Sequence, residues 1–507
     1  MSDAPNDIPG DSPDNIHDDI HRDTHGDSHG ADPTGAADAE IASHTSSSRA
    51  RWELAAVGLG ALVVSLSQSL LVPIISVLPY ELHTSPSTVT WLLTSTLLVA
   101  AVSLPIMGRL GDMFGKKLML LIAVATLVVG SLMMVFTDNV AVLIAGRVVQ
   151  GVSMSAIALG ISLLSTLLPR ERVGTAIALV SAMLGVGGAL GLPIAGFVAE
   201  HASFHVLFAI TAGVGLVAFF AILLIVPESP LRTGGRVDLV GAALLTAGLL
   251  CLLIPLTQAA DWGWGDPRVA GLLVASLLLI VVLVLVELRT KEPLVDMRAL
   301  GQRPIILTNL VSILFGFALF ASLLGTASFV EAPKESGYGF GSSLMVGGLA
   351  MLPSGLAMLF LAPVAAKAIT RFGAPQTLTI GAAIVGVGWV ARIAFSGSLL
   401  QVVIGTTVIG AGTGIGYAAL PTLINAHTPP TEIASANGLN SLFRSVGSSL
   451  ASAIGGSILA ANTVILGEFA VPSLGAYHQL FGMCAVAAFA AALLVLLVPR
   501  HGRHATA

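Results

Sequence analysis

The sequence predicts an all-α, polytopic membrane protein with fourteen membrane-spanning helices. Of its 507 residues, 55% are hydrophobic and 10% are charged, whereas soluble proteins are about 25% charged. The apolar residues form long runs, each able to cross a hydrocarbon core about 30 Å thick as a helix of about 20 residues. Such uniformly apolar runs exclude the alternating strands of a membrane barrel. The predicted spans lie near residues 54–78, 88–108, 118–136, 140–168, 173–199, 204–226, 238–257, 269–287, 305–330, 343–366, 376–395, 400–425, 433–461 and 476–498.

The cationic residues orient these spans. Links that follow odd-numbered spans contain two cations, Arg268 and Lys334. Links that follow even-numbered spans contain thirteen, which are Arg109, Lys116, Lys117, Arg170, Arg172, Arg232, Arg236, Arg289, Lys291, Arg298, Arg303, Lys367 and Arg371. Because cationic loops stay in the cytoplasm, we expect the second set of links and both termini to lie on the cytoplasmic side of the inner cell membrane.

The chain divides into five predicted regions. Residues 1–50 form an acidic cytoplasmic tail whose composition is typical of a disordered segment. Residues 51–226 contain the first six spans, and 305–499 contain the last six. Residues 227–304 hold two almost wholly apolar spans, which we interpret as an insert between two six-helix bundles. Residues 500–507 form a short C-terminal tail.

We predict no metal site and no cofactor. His17, His21, His25 and His29 recur every fourth residue of the tail, a spacing that could bind Zn²⁺ weakly. The surrounding glycine and aspartates oppose a helix, so we interpret this segment as a solvated tract. The chain also lacks a nucleotide-binding P-loop, which argues against ATP as the energy source.

The two halves share a short pattern. The link after the second span of each half contains cations and a Phe-Gly pair, Phe114-Gly115 in the first half and Phe372-Gly373 in the second. Corresponding positions in two six-helix halves indicate parallel repeats, an arrangement in which a substrate cavity forms between the halves.

The first of these links carries a family signature. The segment Gly108-Arg109-Leu110-Gly111-Asp112-Met113-Phe114-Gly115-Lys116-Lys117 resembles the loop between the second and third helices of the major facilitator superfamily. Asp112 can accept hydrogen bonds at a helix N-terminus or pair with a neighbouring cation. The resemblance implies that this loop latches the two halves together in an outward-facing state. The gating residues are then Gly108, Arg109, Asp112, Gly115, Lys116 and Lys117.

The fourth and fifth spans add two partial signatures. Arg147-x-x-Gln150-Gly151 is similar to the family's R-x-x-Q-G pattern, and an arginine this deep costs about 3 kcal/mol on insertion scales. The resemblance links Arg147 to proton coupling or to fixing neighbouring helices, while a structural arginine bonded to backbone carbonyls remains open. In the fifth span, a motif typical of drug antiporters is matched at helix-packing positions, which are Gly188, Pro193 and Gly196.

Together these motifs, the span count and the inserted pair resemble the fourteen-helix drug/proton antiporter branch, from residue 50 to about residue 500. One departure concerns the proton site, because relatives often carry an acid in the first span where this chain has Ser67-Gln68-Ser69. We predict Glu331, at the end of the ninth span, as the coupling acid. A loop-edge anion near Lys334 is the alternative.

Polar residues within the spans predict the lining of the cavity. Asn437, Asn440 and Arg444 follow one another at i, i+3 and i+7, along one helix face that should point into the bundle. The predicted lining residues are Gln68, Ser69, Trp91, Gln150, Trp389, Tyr417, Asn425, Asn437, Asn440 and Arg444. Each could instead form a hydrogen bond to a neighbouring helix.

These observations predict a secondary active transporter that exports amphipathic or hydrophobic small molecules by alternating access, driven by proton antiport. It is expected to be a monomer that contacts lipid, protons and substrate, but not nucleic acid. The alternative within transport is an exporter or importer of a charged metabolite such as a peptide, siderophore or amino acid, held by Arg147, Arg392 and Arg444. A polytopic enzyme is disfavoured, because the spans contain no cluster of histidine and acidic residues.

Overall fold

The computed structural model describes residues 33–466 and 469–498. The four tail histidines and the residues after 498 lie outside these ranges. The chain divides into two units, Met1–Arg49 and Ala50–Ala507. In the first unit the described residues are helical, because helix α1 begins at Pro33 in an alanine-rich stretch. The disordered cytoplasmic tail expected for residues 1–50 stays a prediction.

The first six predicted spans are helical. The helices are α1 (Pro33–Ser69), α2 (Leu78–Glu81), α3 (Pro86–Phe114), α4 (Lys116–Val135), α5 (Val140–Gly151), α6 (Ser155–Leu167), α7 (Arg170–His201) and α8 (His205–Ile225). A short 3-10 turn, Val152–Met154, divides the predicted fourth span into α5 and α6. The α2 helix is a single turn in the link between the first two spans.

The insert and the second half follow. Their helices are α9 (Leu239–Trp262), α10 (Pro267–Glu287), α11 (Met297–Leu300), α12 (Arg303–Glu331), α13 (Leu344–Phe372), α14 (Ala374–Ala394), α15 (Leu399–Ala426), α16 (Ile433–Ala461) and α17 (Leu474–Leu496). Between α16 and α17, strands β1 (Thr463–Leu466) and β2 (Phe469–Pro472) form an antiparallel hairpin. This hairpin is not expected from the sequence, but the all-α polytopic fold class is confirmed.

The span count depends on one polar helix. In the described residues, thirteen helical segments are long and apolar enough to cross a membrane. The predicted span that is not among them is the thirteenth, α16, which has 29 residues and contains Asn437, Asn440 and Arg444. Because α16 packs against α3, α9 and α12, its polar side chains are enclosed by protein.

The two halves repeat one helix–turn–helix. Gly115 joins α3 to α4 with φ of 128°, and Gly373 joins α13 to α14 with φ of 90°. Both angles lie in a region that glycine adopts without strain. We call the side of the bundle that carries these two turns the cationic side, and the other side the opposite side.

The most extensive contacts between the halves are made by two helix pairs, which we call the α3/α16 seam and the α7/α13 seam. The insert lies along the first, because α9 packs against both α3 and α16. Leu245, Leu249 and Leu253 of α9 form one apolar cluster with side chains of both helices. The predicted 227–304 region contains α9, α10 and α11, and its status as a separate domain stays a prediction.

Candidate functional site

A cavity of about 230 Å³ lies between the two halves. Helices α1, α3, α6 and α7 line it from the first half, and α12, α15 and α16 line it from the second. Its polar lining residues are Ser65, Gln68, Ser69, Tyr417, Ser441, Arg444, Ser445, Ser448 and Ser452. Four of the predicted lining residues are therefore in the cavity wall, namely Gln68, Ser69, Tyr417 and Arg444.

The cavity lies at mid-depth of the bundle. The lining residues of the first span run from Ser65 to Val72 and those of α12 from Leu319 to Leu323, beyond the midpoints of these helices toward the opposite side. On α15 and α16 the wall extends toward the cationic side, to Tyr417 and Ser441. Further contacts between the halves lie on the cationic side of the cavity.

Asp112 makes the central closing contact. Its carboxylate accepts hydrogen bonds from the backbone N–H of Ala434, at 3.1 Å, and of Ser435, at 2.7 Å. It also lies 3.2 Å from the ammonium group of Lys116, and both side chains are fully buried. The α16 helix begins at Ile433, so Asp112 of the first half caps the first turn of a helix in the second half. We call these contacts the Asp112 latch.

Backbone packing supports the latch. A Cβ at Gly108 would lie 2.5 Å from the carbonyl oxygen of Ala434, so only glycine fits there. A Cβ at Gly438 would likewise clash with the carbonyl group of Leu104. The glycines of the signature therefore permit α3 and α16 to approach closely enough for Asp112 to reach the helix end.

A second layer of polar contacts crosses between the halves beside the latch. Ser162 donates to the carbonyl oxygen of Ile433 at 3.2 Å. Asn437 donates to Asn425 at 2.7 Å and to Ser162 at 3.3 Å, and Asn425 donates to Ser165 at 3.1 Å. Asn425 and Asn437, expected in the cavity wall, thus lie in the closed end instead.

The remaining signature residues stabilise the turn itself. Glu228, from the link after α8, accepts hydrogen bonds from the backbone N–H of Lys117 at 2.9 Å and of Leu118 at 3.1 Å. It also packs against Gly115. The ammonium group of Lys117 donates to the carbonyl oxygen of Leu223. Sequence reasoning missed Glu228, because it lies 111 residues after Lys117 and no local pattern links it to the start of α4.

Glu432 lies next to the latch, at the N-cap of α16. Partial burial raises the pKa of its carboxyl group above 4.5. The neighbouring carboxylates of Asp296 and Asp112 raise this pKa further, while Arg109 lowers it. Arg109 is thus the compensating cation for the acids that surround the latch.

Arg147 and Gln150 belong to the interior of the first half. Arg147 is fully buried. It donates to the carbonyl oxygens of Leu92 at 2.9 Å and Ser67 at 3.3 Å, and to Gln150 at 2.7 Å. Gln150 in turn donates to Ser131. This network ties α1, α3, α4 and α5 together, as expected for the structural alternative, and neither residue lines the cavity.

Trp389 and Arg392 occupy the interior of the second half. Both are fully buried. The guanidinium group of Arg392 lies 5.1 Å from the ring centre of Phe329 and 4.9 Å from that of Phe481, and Trp389 packs against Phe481. The aromatic rings stabilise the cation by their quadrupoles. Trp389 therefore lies in this aromatic core, away from the cavity.

Three further predicted residues lie outside the cavity wall. Glu331 ends α12 and packs against Gly347 of α13. Trp91 packs against the apolar cluster around α9. Asn440 donates to Asn309 at 2.8 Å and to Ser312 at 2.7 Å, which ties α16 to α12. Trp91 and Asn440 therefore contribute to packing between helices, and the role of Glu331 as a proton site stays a prediction.

The predicted packing residues of the fifth span lie on α7. Gly188 lines the cavity, whereas Pro193 and Gly196 form part of the α7/α13 seam. A Cβ at Gly196 would lie 2.6 Å from the backbone nitrogen of Met345, and Gly348 packs directly on Pro193. Small residues thus let the backbones of α7 and α13 touch.

Two carboxyl groups of the insert were not singled out from the sequence. Asp238 caps α9 by accepting a hydrogen bond from the backbone N–H of Gly241 at 2.8 Å. Glu287, at the end of α10, is 2% exposed, and both carboxyl groups pack against Gly241. A signal existed, because each acid lies at the boundary of an apolar run.

Comparisons with known proteins agree with this architecture. The family model described as Major Facilitator Superfamily matches residues 57–451, and a second match covers 313–507. The chain is 30% identical to the tetracenomycin C resistance and export protein of Streptomyces glaucescens, over 85% of this chain and 79% of that protein. It is 26% identical to the uncharacterized MFS-type transporter YwoD of Bacillus subtilis, over 83% and 94% of the two chains.

A solved structure shows the same fold. The proton:xylose symporter XylE superposes with a TM-score of 0.62 at 15% identity, over 89% of this chain and 96% of that one. The family match and these relatives confirm the multi-pass membrane transporter expected from the sequence. With its signature loop, its two repeated halves and these relatives, the chain belongs to the major facilitator superfamily and is a membrane transporter, not an enzyme.

Proposed function

We propose that this protein exports amphipathic or hydrophobic small molecules from the cytoplasm by proton antiport. One observation carries the proposal: the Asp112 latch joins the two halves on the cationic side of the central cavity. By the positive-inside rule the cationic side is the cytoplasmic one, so this arrangement corresponds to an outward-facing state of a monomeric transporter in the inner membrane. Both termini then lie in the cytoplasm.

The energetics are sufficient for export. One proton entering the cell releases about 2.3 kcal/mol per 100 mV of membrane potential. Since about 1.4 kcal/mol corresponds to a factor of ten in an equilibrium constant, this drives a substantial substrate gradient. The relative from Streptomyces glaucescens, named for resistance and export, supports the direction of transport.

The coupling acid must exchange a proton between the two states. Glu331 is half-buried against α13, and Glu287 is buried beside Asp238 in the insert. Arg147 would act by holding α1, α3 and α5 in register around the cavity. We therefore propose Glu331 as the first candidate for the proton site and Glu287 as the second.

Dye accumulation tests the function. Cells with the protein should accumulate less ethidium or less fluorescein than cells without it, and a protonophore should abolish the difference. A difference that persists with the protonophore, or the absence of any difference, would contradict proton-driven export.

Matched variants locate the coupling acid. Glu331→Gln or Glu287→Gln should remove the dependence of export on an imposed pH gradient in proteoliposomes. Exposed Glu335→Gln, four residues beyond Glu331, is the control and should leave the gradient dependence intact. Full gradient dependence in the Glu331 variant would exclude that residue.

A further inference from the structure

The charge of the central cavity is one-sided. Three arginines lie deep in the described spans, but Arg147 and Arg392 are fully buried in the interiors of the two halves. Arg444 differs from both, because it is half-buried and lines the cavity. No aspartate or glutamate is among the residues that line the cavity in the described part of the chain. The cavity wall therefore carries a net positive charge.

Arg444 is held in place without a counter-ion. One of its terminal nitrogens donates to Ser441, one turn earlier on the same helix, at 3.1 Å. Its guanidinium carbon lies 5.0 Å from the ring centre of Tyr417. Among the described residues, no carboxylate forms an ion pair with it. Hydrogen bonding and the aromatic face fix the position of the guanidinium group but leave its charge uncompensated.

The rest of the wall is suited to an apolar ring. Leu319, Phe320 and Leu323 of α12 provide an apolar surface beside Arg444. Hydroxyl groups of Ser445 and Ser448 follow along α16 and are half-buried. At about 230 Å³, the cavity is smaller than drug-sized pockets of about 300–1,000 Å³. It fits a compact molecule with one or two rings.

We propose that this cavity selects small aromatic anions, with Arg444 binding a carboxylate or similar acidic group and α12 packing against the ring. An uncompensated arginine in a low-dielectric cavity favours an anionic ligand, because a charged pair costs less than a lone buried charge. Arginine also matches a carboxylate through two parallel hydrogen bonds. A cationic ligand of the same size would meet repulsion and no partner. This inference rests on the cavity being the substrate site of the proposed exporter.

Three probes that share one ring system isolate the charge. Naphthoate is anionic, naphthylmethylamine is cationic at neutral pH, and naphthalenemethanol is uncharged. Ligand binding to the folded state raises the unfolding midpoint. Unfolding of the purified protein in an uncharged detergent is followed by the reaction of a maleimide dye with Cys484, which is fully buried. Cys251, only partly buried, is replaced by serine.

Naphthoate should raise the unfolding midpoint of the wild-type cavity more than the alcohol does, and naphthylmethylamine should raise it least. Arg444→Gln should remove the advantage of naphthoate, while Arg444→Lys, which keeps the charge but not the planar fork, should retain part of it. If Arg444→Gln fails to fold, the order in which the three probes stabilise the protein that retains Arg444 still tests the inference.

Three results would overturn the inference: no stabilisation by naphthoate, equal or greater stabilisation by the amine, or an unchanged naphthoate effect in a folded Arg444→Gln protein. Because this measurement uses detergent and no gradient, its result does not depend on whether the protein exports substrate by proton antiport. Loss of proton-driven export with a retained naphthoate preference would contradict the export mechanism alone.

Discussion

The α3/α16 seam and the α7/α13 seam occupy equivalent positions in the two repeated halves, but they are built differently. Along α7 and α13, the helices approach closely at three levels, where Gly355 meets Gly185, Gly348 meets Pro193 and Gly196 meets Met345, so the contact is continuous. Along α3 and α16, backbone contact occurs at Gly108 and Gly438, near the cationic side, and is reinforced there by the Asp112 latch.

The turns beside the two seams explain why the latch is found in the α3/α16 seam. Gly115 and Gly373 adopt similar backbone angles, so the repeat conserves the turn. Counting back from the shared Phe-Gly, the position of Asp112 in the first half corresponds to exposed Thr370 in the second. Only the first seam therefore has a carboxylate that can cap a helix in the other half. We infer that the α7/α13 seam holds the halves together while the α3/α16 seam opens and closes.

The largest effect is expected from Asp112→Asn. It removes the charge that pairs with fully buried Lys116, and breaking such a pair costs about 3–5 kcal/mol. Dye export should fall to a small fraction of the wild-type rate, while membrane insertion is retained. Adding Lys116→Met should recover thermal stability but not transport. Thr370→Ala is the matched control in the other half, and normal turnover by Asp112→Asn would rule out the latch.

The two seams should be comparably sensitive to an added methyl group. Gly355→Ala on α13 and Gly438→Ala on α16 both push a Cβ into neighbouring atoms, an overpacking that costs about 1–3 kcal/mol. Gly174→Ala and Gly456→Ala have open space around the new Cβ and should not destabilise. Thermal unfolding of the four variants measures this, and a silent Gly355→Ala would remove the continuous packing assigned to the α7/α13 seam.

Glu432 should make the latch sensitive to pH. Because the folded protein raises the pKa of this carboxyl group above 4.5, the folded state binds its proton more tightly than the unfolded state. The stabilisation present at low pH is therefore lost as pH rises through the raised pKa. Glu432→Gln should flatten this part of the profile of unfolding midpoint against pH. An unchanged profile, with Glu335→Gln as reference, would show that Glu432 does not contribute.

The smallest effect concerns the insert, which reaches the α3/α16 seam from outside. Trp264, in the link between α9 and α10, donates its indole N–H to Ser457 of α16 at 3.0 Å. An exposed bond of this kind contributes about 0.5–1.5 kcal/mol. Trp264→Phe and Ser457→Ala should each lower stability slightly, and the double variant should lose no more than either one. Additive losses would show that the bond does not form.

Patterns that depend on neighbouring residues in the chain were predictable. The apolar runs predicted the spans, and the signature around Asp112 predicted a carboxylate suited to a helix N-terminus or a cation. The structure gives Asp112 both kinds of partner. The Phe-Gly pair likewise predicted a repeated turn. In each case the determining contacts are within a few residues, or the residue type itself limits the partner.

Which polar side chain reaches the cavity was not predictable in the same way. Gln68 and Arg444 line it, whereas Gln150 and Asn437, which are also polar residues of the spans, form bonds elsewhere. Periodicity places a residue on a helix face, but it does not specify which neighbouring helix that face meets. The same holds for Arg147 and Arg392, whose environments differ entirely although their sequence contexts are similarly apolar.

The sequence alone determined that this chain crosses the membrane many times, which loops share a side, and where a tight glycine turn carries an acid, because hydrophobicity, charge and backbone freedom are properties of short segments. The tertiary structure alone decided that Asp112 caps α16, some 320 residues away in the chain, and that Arg444 faces a cavity whose described lining contains no carboxylate. Those outcomes depend on how helices from the two halves pack, and the free energy of a buried charge is set by the partners that packing brings to it.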